Sequence, residues 1–235
     1  MKSSDFFKFP STPHLAIIGD MSVRDDKIMS EADCDELLQH ELIVEEKVDG
    51  ANLGISFDFD GNIRVQNRGN YMSLPGLGQW KSLANWLVPK TDIFFDNLSD
   101  RYILFGEWCY AQHSVVYDQL PDWFLGFDIY DKQAGNFLIV SHRNILFKKM
   151  LVEQVPFLAR GRFTLVEIKS LLAESKLGIE PAEGICIRYE SVDWLIKRAK
   201  LVRPSFIQEM DQHWSRSGIK KNRLESDAYS QYADV

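Results

Sequence analysis

"VEEKVDGANLGISFD", residues 44 to 58, sets the reading of this chain. Val44 and Val48 flank Glu45, Glu46 and Lys47, Asp49-Gly50 breaks the run, and alternation resumes through Leu53, Ile55 and Phe57. Apolar residues at every second position predict two strands joined by a tight turn. A lysine therefore stands at the last strand position before the turn, where a pocket could hold its amine.

The pattern continues on both sides. "SFDFDGNIRVQNRG" reads as a hairpin in which Asp60-Gly61 supplies the positive φ angles of a two-residue turn. Residues 31 to 40 read as a short helix, and Pro10 and Pro13 mark an irregular start. "GLGQWKSLANWLV" has helical spacing through Leu77, Trp80, Leu83, Ala84 and Leu87. "YILFGEWCY" reads as a strand and "WFLGFDIYDKQAGNFLIV" as a hairpin closing near Gly135. Helices are predicted over about 141–152, 164–176 and 204–215, with strands at "EGICIRY" and "VDWLIKRAKLV". No internal repeat is present, and hairpins outnumber βαβ units, which predicts an α+β fold.

Composition narrows the class. With 45% hydrophobic and 26% charged residues among 235, the chain can bury a substantial core. No apolar run reaches the ~18 residues of a membrane span, which predicts no membrane partner. "MKSSDFFKFPSTPH" lacks a signal peptide's apolar stretch. Cys34, Cys109 and Cys186 form no metal-binding or disulfide spacing, so a reducing, cytoplasmic setting is expected. The net charge is −7, yet Leu195 to Arg223 carries eight basic against two acidic residues, a local +6 that leaves −13 elsewhere. Such asymmetry suits a polyanion bound at one place, and equally a solvated helix face.

Charges also interrupt apolar strands. Glu107 lies within "ILFGEWCY", Glu183 opens "EGICIRY", and Lys197, Arg198 and Lys200 fall in "WLIKRAKLV". Charged groups there are costly unless paired or liganded. His113 in "AQHSVVYD" could act as a general base, although a lone histidine is more often packed, and the six tryptophans read as core.

"EKVDG" resembles the Lys-x-Asp-Gly motif of ATP-dependent ligases and capping enzymes. The other motifs of that superfamily follow in order: "NRG" with Arg68, "FGEWCY" with Glu107, "WFLGFDIYD" with Phe127, "EGICIR" with Glu183 and "KRAKLV" ending at Lys200. Together they cover residues 44 to 203 and, with "KFPSTPHL", are most similar to the ATP-dependent RNA ligase branch. The resemblance implies a nucleotidyltransferase (ATP-grasp-like ligase adenylylation) domain of antiparallel sheets flanked by helices, with no OB domain. That domain would span residues 1–203, followed by a short helical basic C-terminal extension at 204–235.

It also implies chemistry. Lys47 would attack the α-phosphorus of ATP, pass adenylate to a 5′-phosphate RNA end and allow a 3′-hydroxyl to seal it. Glu183 and Lys200 would be catalytic, with Lys200 or a divalent cation lowering the Lys47 pKa. Glu46 would shape the adenine pocket, Phe127 stack on the base, Glu107 accept from the ribose and Arg68 hold the ribose or the polynucleotide end. Asp49 and Gly50 belong to the nucleotide-binding motif, Gly50 letting the backbone approach the nucleotide. Arg198-x-Lys200 fits the spacing of the fifth motif with arginine for lysine, and Lys197 is the other candidate. Mg²⁺ or Mn²⁺ would sit at Glu183 and Glu107. Arg203, Arg216, Lys220 and Lys221 would contact RNA ends or nicked RNA, with other RNA-repair enzymes as candidate partners. The alternatives are a DNA ligase, a capping-type enzyme or a nucleotide-binding descendant without ligase activity.

Overall fold

The two strands of the opening stretch form, but they do not pair with each other. β1 (Leu42–Lys47) and β2 (Ala51–Phe57) join different sheets, and the intervening turn carries the chain across the seam between them. The computed structural model describes residues 6–18, 28–204 and 219–225. The helix expected at 204–215, and Arg216 with it, lies almost wholly outside these residues.

α1 (Glu31–Leu38) starts where the Ser30 hydroxyl accepts the Asp33 N–H, a side-chain cap on the first turn. β3 (Ile63–Gln66) pairs with β2, and β4 (Tyr71–Met72) with β3. The first hairpin is looser than expected: its last pair is Phe57 with Ile63, leaving a five-residue loop. Only Gly61 takes a positive φ (+80°), while the Asp58 carboxylate accepts the Asp60 and Asn62 N–H groups and organises the loop.

α2 (Leu83–Leu87) and α3 (Thr91–Leu98) follow, then β5 (Tyr102–Trp108), β6 (Phe124–Asp131) and β7 (Asn136–Phe137). α4 (Val140–Met150) leads to β8 (Glu153–Gln154), β9 (Phe157–Gly161) and α5 (Leu165–Ser170). β10 (Gly184–Glu190) and β11 (Leu195–Val202) complete the series. Neither α3 nor β9 is foreseen from sequence, and α5 stops well before residue 176.

Among the described residues, one sheet runs β11-β10-β1-β9 and the other β4-β3-β2-β5-β6-β7, with β8 beside β6. Leu37 of α1 and Ile168 of α5 cover the outer face of the first sheet, against Val44, Ile185 and Leu201. α2, α3 and α4 cover the second through Trp86, Phe94 and Phe147, packed on Leu53, Leu104 and Phe124. Trp86 and Trp108 are core, as composition suggests. The arrangement is the α+β fold of mostly antiparallel sheets flanked by helices, and its polar cleft lies between the two sheets.

Residues 13–15 run along the free side of β11. The Lys200 N–H donates to the Pro13 carbonyl at 2.9 Å, and the Leu15 N–H donates to the Lys200 carbonyl at 2.8 Å. A strand edge is thereby paired, and Lys200 is fixed from both sides.

Candidate active site

Alternation along the four-stranded sheet decides which charges meet. Register places Glu45 opposite Cys186, Cys186 opposite Lys200, and Arg188 opposite Arg198. Since side chains on one face recur every second residue, Glu45, Lys47, Arg198 and Lys200 share the face turned to the cleft. Asn52, Glu107 and Phe127 approach from the other sheet, and Arg68 reaches the mouth from the turn after β3. The cleft measures about 880 Å³ including its open mouth, a size suited to a small ligand.

Lys47 donates a short hydrogen bond to Glu183. Burial works to strip the ammonium of its proton, but Glu183 and Glu107 outweigh it and raise the Lys47 pKa. Lys200 by itself does not depress it: the acids dominate, and the amine is held charged. Burial pushes Glu183 up to about 6 and Glu107 to about 8, against the pull of Lys47 on both. Lys200 is pushed down, by burial first and by Lys47 second.

Glu107 yields a direct test. Its folded pKa lies above the unfolded value, so the native state binds more protons between about pH 4.5 and 8, and this group's contribution to stability falls as pH rises through that window. Glu107→Gln removes the titration while keeping the shape. The variant should match the parent's melting temperature near pH 4.5 and exceed it above pH 8. Parallel stability curves through that window would show that Glu107 titrates normally.

Several motif residues are turned elsewhere. Glu46 borders the cleft, but its carboxylate accepts from Ser175 Oγ at 2.5 Å and the Lys176 N–H at 2.9 Å. Lys197 lies on the opposite face from Arg198, where Asp33 and Glu36 hold it at 2.9 and 2.8 Å, so Arg198-x-Lys200 is the pair that faces the cleft. The Asp49 carboxylate accepts the Ser114 and Val115 N–H groups at 2.7 and 3.0 Å, bracing the turn after Lys47 rather than reaching the cleft. At Gly50 a Cβ would stand 2.9 Å from the Trp108 carbonyl oxygen, so glycine makes room for β5. His113 sits behind the turn, its Nδ1 3.7 Å from Asp49 and its Nε2 2.9 Å from Gln79 Oε1, outside the cleft lining. Arg203 spends its guanidinium on the Ala182 and Ala173 carbonyls. Lys220 and Lys221 are exposed, on a segment lying along residues 110–112.

The structure adds groups that spacing did not reveal. Both polar atoms of the Asn52 side chain, and Glu107 Oε2, are buried at the cleft without a hydrogen-bond partner, which marks them as ligand-facing. Asn52 could have been noticed as the one amide in an otherwise apolar strand. In the wall of the cleft, Asp128 binds both Arg188 and Arg198, while Glu45 takes Arg143 in a two-pronged contact of 2.6 and 3.2 Å. Phe9 packs edge-on against Phe127 at 5.2 Å, and the Arg198 guanidinium lies 4.5 Å from the Phe9 ring centre.

Glu183 and Glu107 offer hard oxygen donors of the kind Mg²⁺ and Mn²⁺ take, and the sealed, unpartnered Glu107 Oε2 fits that use. No group of three or more His, Cys, Asp or Glu side chains could hold a metal among the described residues. One or two carboxylates, with the remaining positions left to water and phosphate, is the usual manner of Mg²⁺.

Comparison with known proteins bears on this cleft. A family profile described as RNA ligase matches residues 40–202. Solved structures of an RNA ligase from Naegleria gruberi share the fold. Its form with PPi aligns at a TM-score of 0.60 and 18% identity, over 90% of this chain and 63% of that one. A glutamate-to-alanine mutant with AMP and Mn aligns at 0.59 and 18%, over 86% and 63%. A lysine-to-alanine mutant with ATP and Mn aligns at 0.58 and 19%, over 74% and 53%. The chain therefore spans about half to two thirds of the length of those proteins. No curated protein matches it.

Proposed function

Because this chain belongs to the RNA ligase family, we propose that it is an ATP-dependent, AMP-forming RNA ligase that joins 5′-phosphate and 3′-hydroxyl ends in RNA repair through a lysyl-adenylate on Lys47. One observation carries the reading: Lys47 meets Glu183 in a cleft that also presents two cations, Arg198 and Lys200, and an aromatic ring, Phe127. Cations suit a phosphate chain and the ring suits a purine face. The Naegleria complexes with ATP, AMP and Mn support the same choice of ligands.

In the first step the Lys47 amine forms a P–N bond to the α-phosphorus, and the bond to the bridging oxygen breaks to release pyrophosphate. A phosphoramidate divides one difficult condensation into two transfers. An oxygen of the RNA 5′-phosphate then attacks the same α-phosphorus, the P–N bond breaks and the lysine nitrogen regains a proton. Finally the 3′-hydroxyl attacks the phosphorus of the RNA 5′-phosphate, the bridging bond to the adenylate breaks and AMP leaves.

Lys47 must shed a proton before it attacks, and Glu183 holds that proton in place. Glu183 and Glu107 would hold a divalent cation, whose charge would compete with Lys47 for these carboxylates and neutralise phosphate. Arg198 and Lys200 offset charge at the α-phosphate as it builds in the transition state. Phe127 positions the base, and Arg68 at the mouth faces the ribose or the entering polynucleotide end.

Incubation with α-labelled ATP or GTP tests this reading. Covalent AMP labelling from ATP is expected, with no GMP labelling from GTP. Labelling from GTP alone would overturn the nucleotide assignment, and the absence of any covalent label would overturn the mechanism.

A further inference from the structure

Residues 7–15 form a strap that runs from one sheet to the other. At one end Phe7 stacks on Tyr130 of β6 with ring centres 3.6 Å apart, and its carbonyl accepts from Gln66 Nε2 at 2.8 Å. At the other end Pro13 and Leu15 hold the backbone of Lys200 on β11. Phe9, Ser11 and Thr12, between these anchors, line the cleft. Pro10 and Pro13 fix two φ angles of the crossing and stiffen it.

Phe9 is where the strap meets both walls. Its ring is 6% exposed, edge-on to Phe127 at 5.2 Å and tilted against Phe105 at 4.9 Å. The Phe137 ring stands at 71° to it, and the Arg198 guanidinium occupies the corner between them, 4.5 Å from the Phe9 centre and 4.2 Å from the Phe137 centre. Arg198 also donates to Asp128, the chain neighbour of Phe127. Phe127, Phe9, Arg198 and Asp128 thus close a circuit across the seam of the two sheets. Aromatic pairs and cations over ring faces are directional, so they set orientation as well as distance. An edge-on contact takes at most one face of the Phe127 ring and leaves the other to a base.

We propose that Phe9 is a positioning residue for the nucleotide: it holds the stacking ring of one sheet and the Arg198 cation of the other at the spacing that bound ATP needs. This assignment rests on the RNA ligase reading, which gives Phe127 the base and Arg198 the phosphates. Phe9 touches no reacting atom and acts through those two side chains. Without its ring, Phe127 loses its edge support and Arg198 loses one wall of its corner. The nucleotide must then order both as it binds, and that ordering costs affinity.

The test compares full-length Phe9→Ala and Phe9→Leu with the parent and with Phe94→Leu, a cut into the buried core under α3, outside the cleft lining. The probe is an ATP analogue with a methylene α–β bridge, which Lys47 cannot cleave, so binding is read apart from chemistry. Affinities are measured well below each protein's melting temperature. Phe9→Ala should bind the analogue about tenfold more weakly, the scale of one disordered stacking contact. Phe9→Leu keeps the apolar bulk, and with it the fold, and should bind about threefold more weakly because the ring is gone. Phe94→Leu should melt lower yet bind as the parent does. In labelling from ATP, the half-saturating concentration should rise in the same order. Parent affinity in both Phe9 variants would make Phe9 an ordinary core residue and overturn the assignment. An equal loss in Phe94→Leu would overturn it too, by tracing affinity to overall stability. A parent that binds the analogue but takes no label from ATP would sink the ligase reading, while the Phe9 comparison still decides the positioning role.

Discussion

Lys47→Ala abolishes covalent AMP labelling, to the background of the assay, while leaving ATP bound non-covalently. The expectation follows from position: among the described residues, Lys47 is the amine hydrogen-bonded to Glu183 at the seam of the two sheets, whereas Arg198, Lys200 and Phe127 still line the cleft. Loss of the ammonium also removes what holds the Glu183 pKa down, so that carboxyl takes up a proton more readily and the variant stays folded. Intact labelling in Lys47→Ala would name another nucleophile, with Lys200 and Cys186 the first to substitute. Retained ATP binding distinguishes a missing nucleophile from a collapsed cleft.

Arg143→Met is the second large effect, and it falls on stability. Arg143 is fully buried on α4, where it grips Glu45 through its two terminal guanidinium nitrogens and donates to the Phe127 carbonyl at 2.5 Å. Truncation leaves the Glu45 carboxylate, 2% exposed, without its principal partner. Breaking a buried pair from one side costs about 3–5 kcal/mol. In a protein of this size that lowers the melting temperature by roughly 10 °C. Adding Glu45→Gln to Arg143→Met should recover part of the loss, because the stranded charge is gone. A shift under about 2 °C for the single variant would show that water or Arg188 compensates Glu45 fully.

How far the sequence could be read depended on whether local pattern or distant partners decided each element. β5 and β6 were legible because apolar residues fill both faces, and α4 because its apolar positions repeat over nearly three turns. α3 was hidden: Pro89 suggests a break, yet proline fits a first helical turn, and "TDIFFDNL" follows directly. β9 was hidden because "FLARG" is short, mostly half-exposed and ends in glycine; it is a strand only because β1 offers it an edge. α5 stops early because Glu46, from another part of the chain, captures Ser175 and the Lys176 N–H.

At the site, motif spacing named Lys47, Arg68, Glu107, Phe127, Glu183, Arg198 and Lys200, all of which the structure brings to one cleft or its rim. It could not sort neighbours. A strand turns its side chains to opposite faces, so Lys197 beside Arg198 points away, and Glu46 beside Lys47 stays at the cleft's border with its carboxylate turned to Ser175 and Lys176. Asp49 and Gly50 brace the turn and its packing on β5. The supporting arginines, Arg143 and Arg188, left no local signal because each is defined by a partner far away in the chain.

The strand order carries a consequence for synthesis on the ribosome. β1 is central in its sheet, yet Leu42 pairs with Gly161 on one side and Tyr189 on the other. At about 5–20 residues per second, the strand carrying Lys47 waits roughly ten seconds for its first neighbour. Until β9 and β10 emerge, both of its edges are open for mispairing with other chains. Glu183 and Lys200 are made later still, so nucleotide affinity arrives as one late event rather than growing with chain length. A chain stalled before β10 has neither a finished sheet nor a counter-charge for Lys47, which makes it a natural client for chaperones.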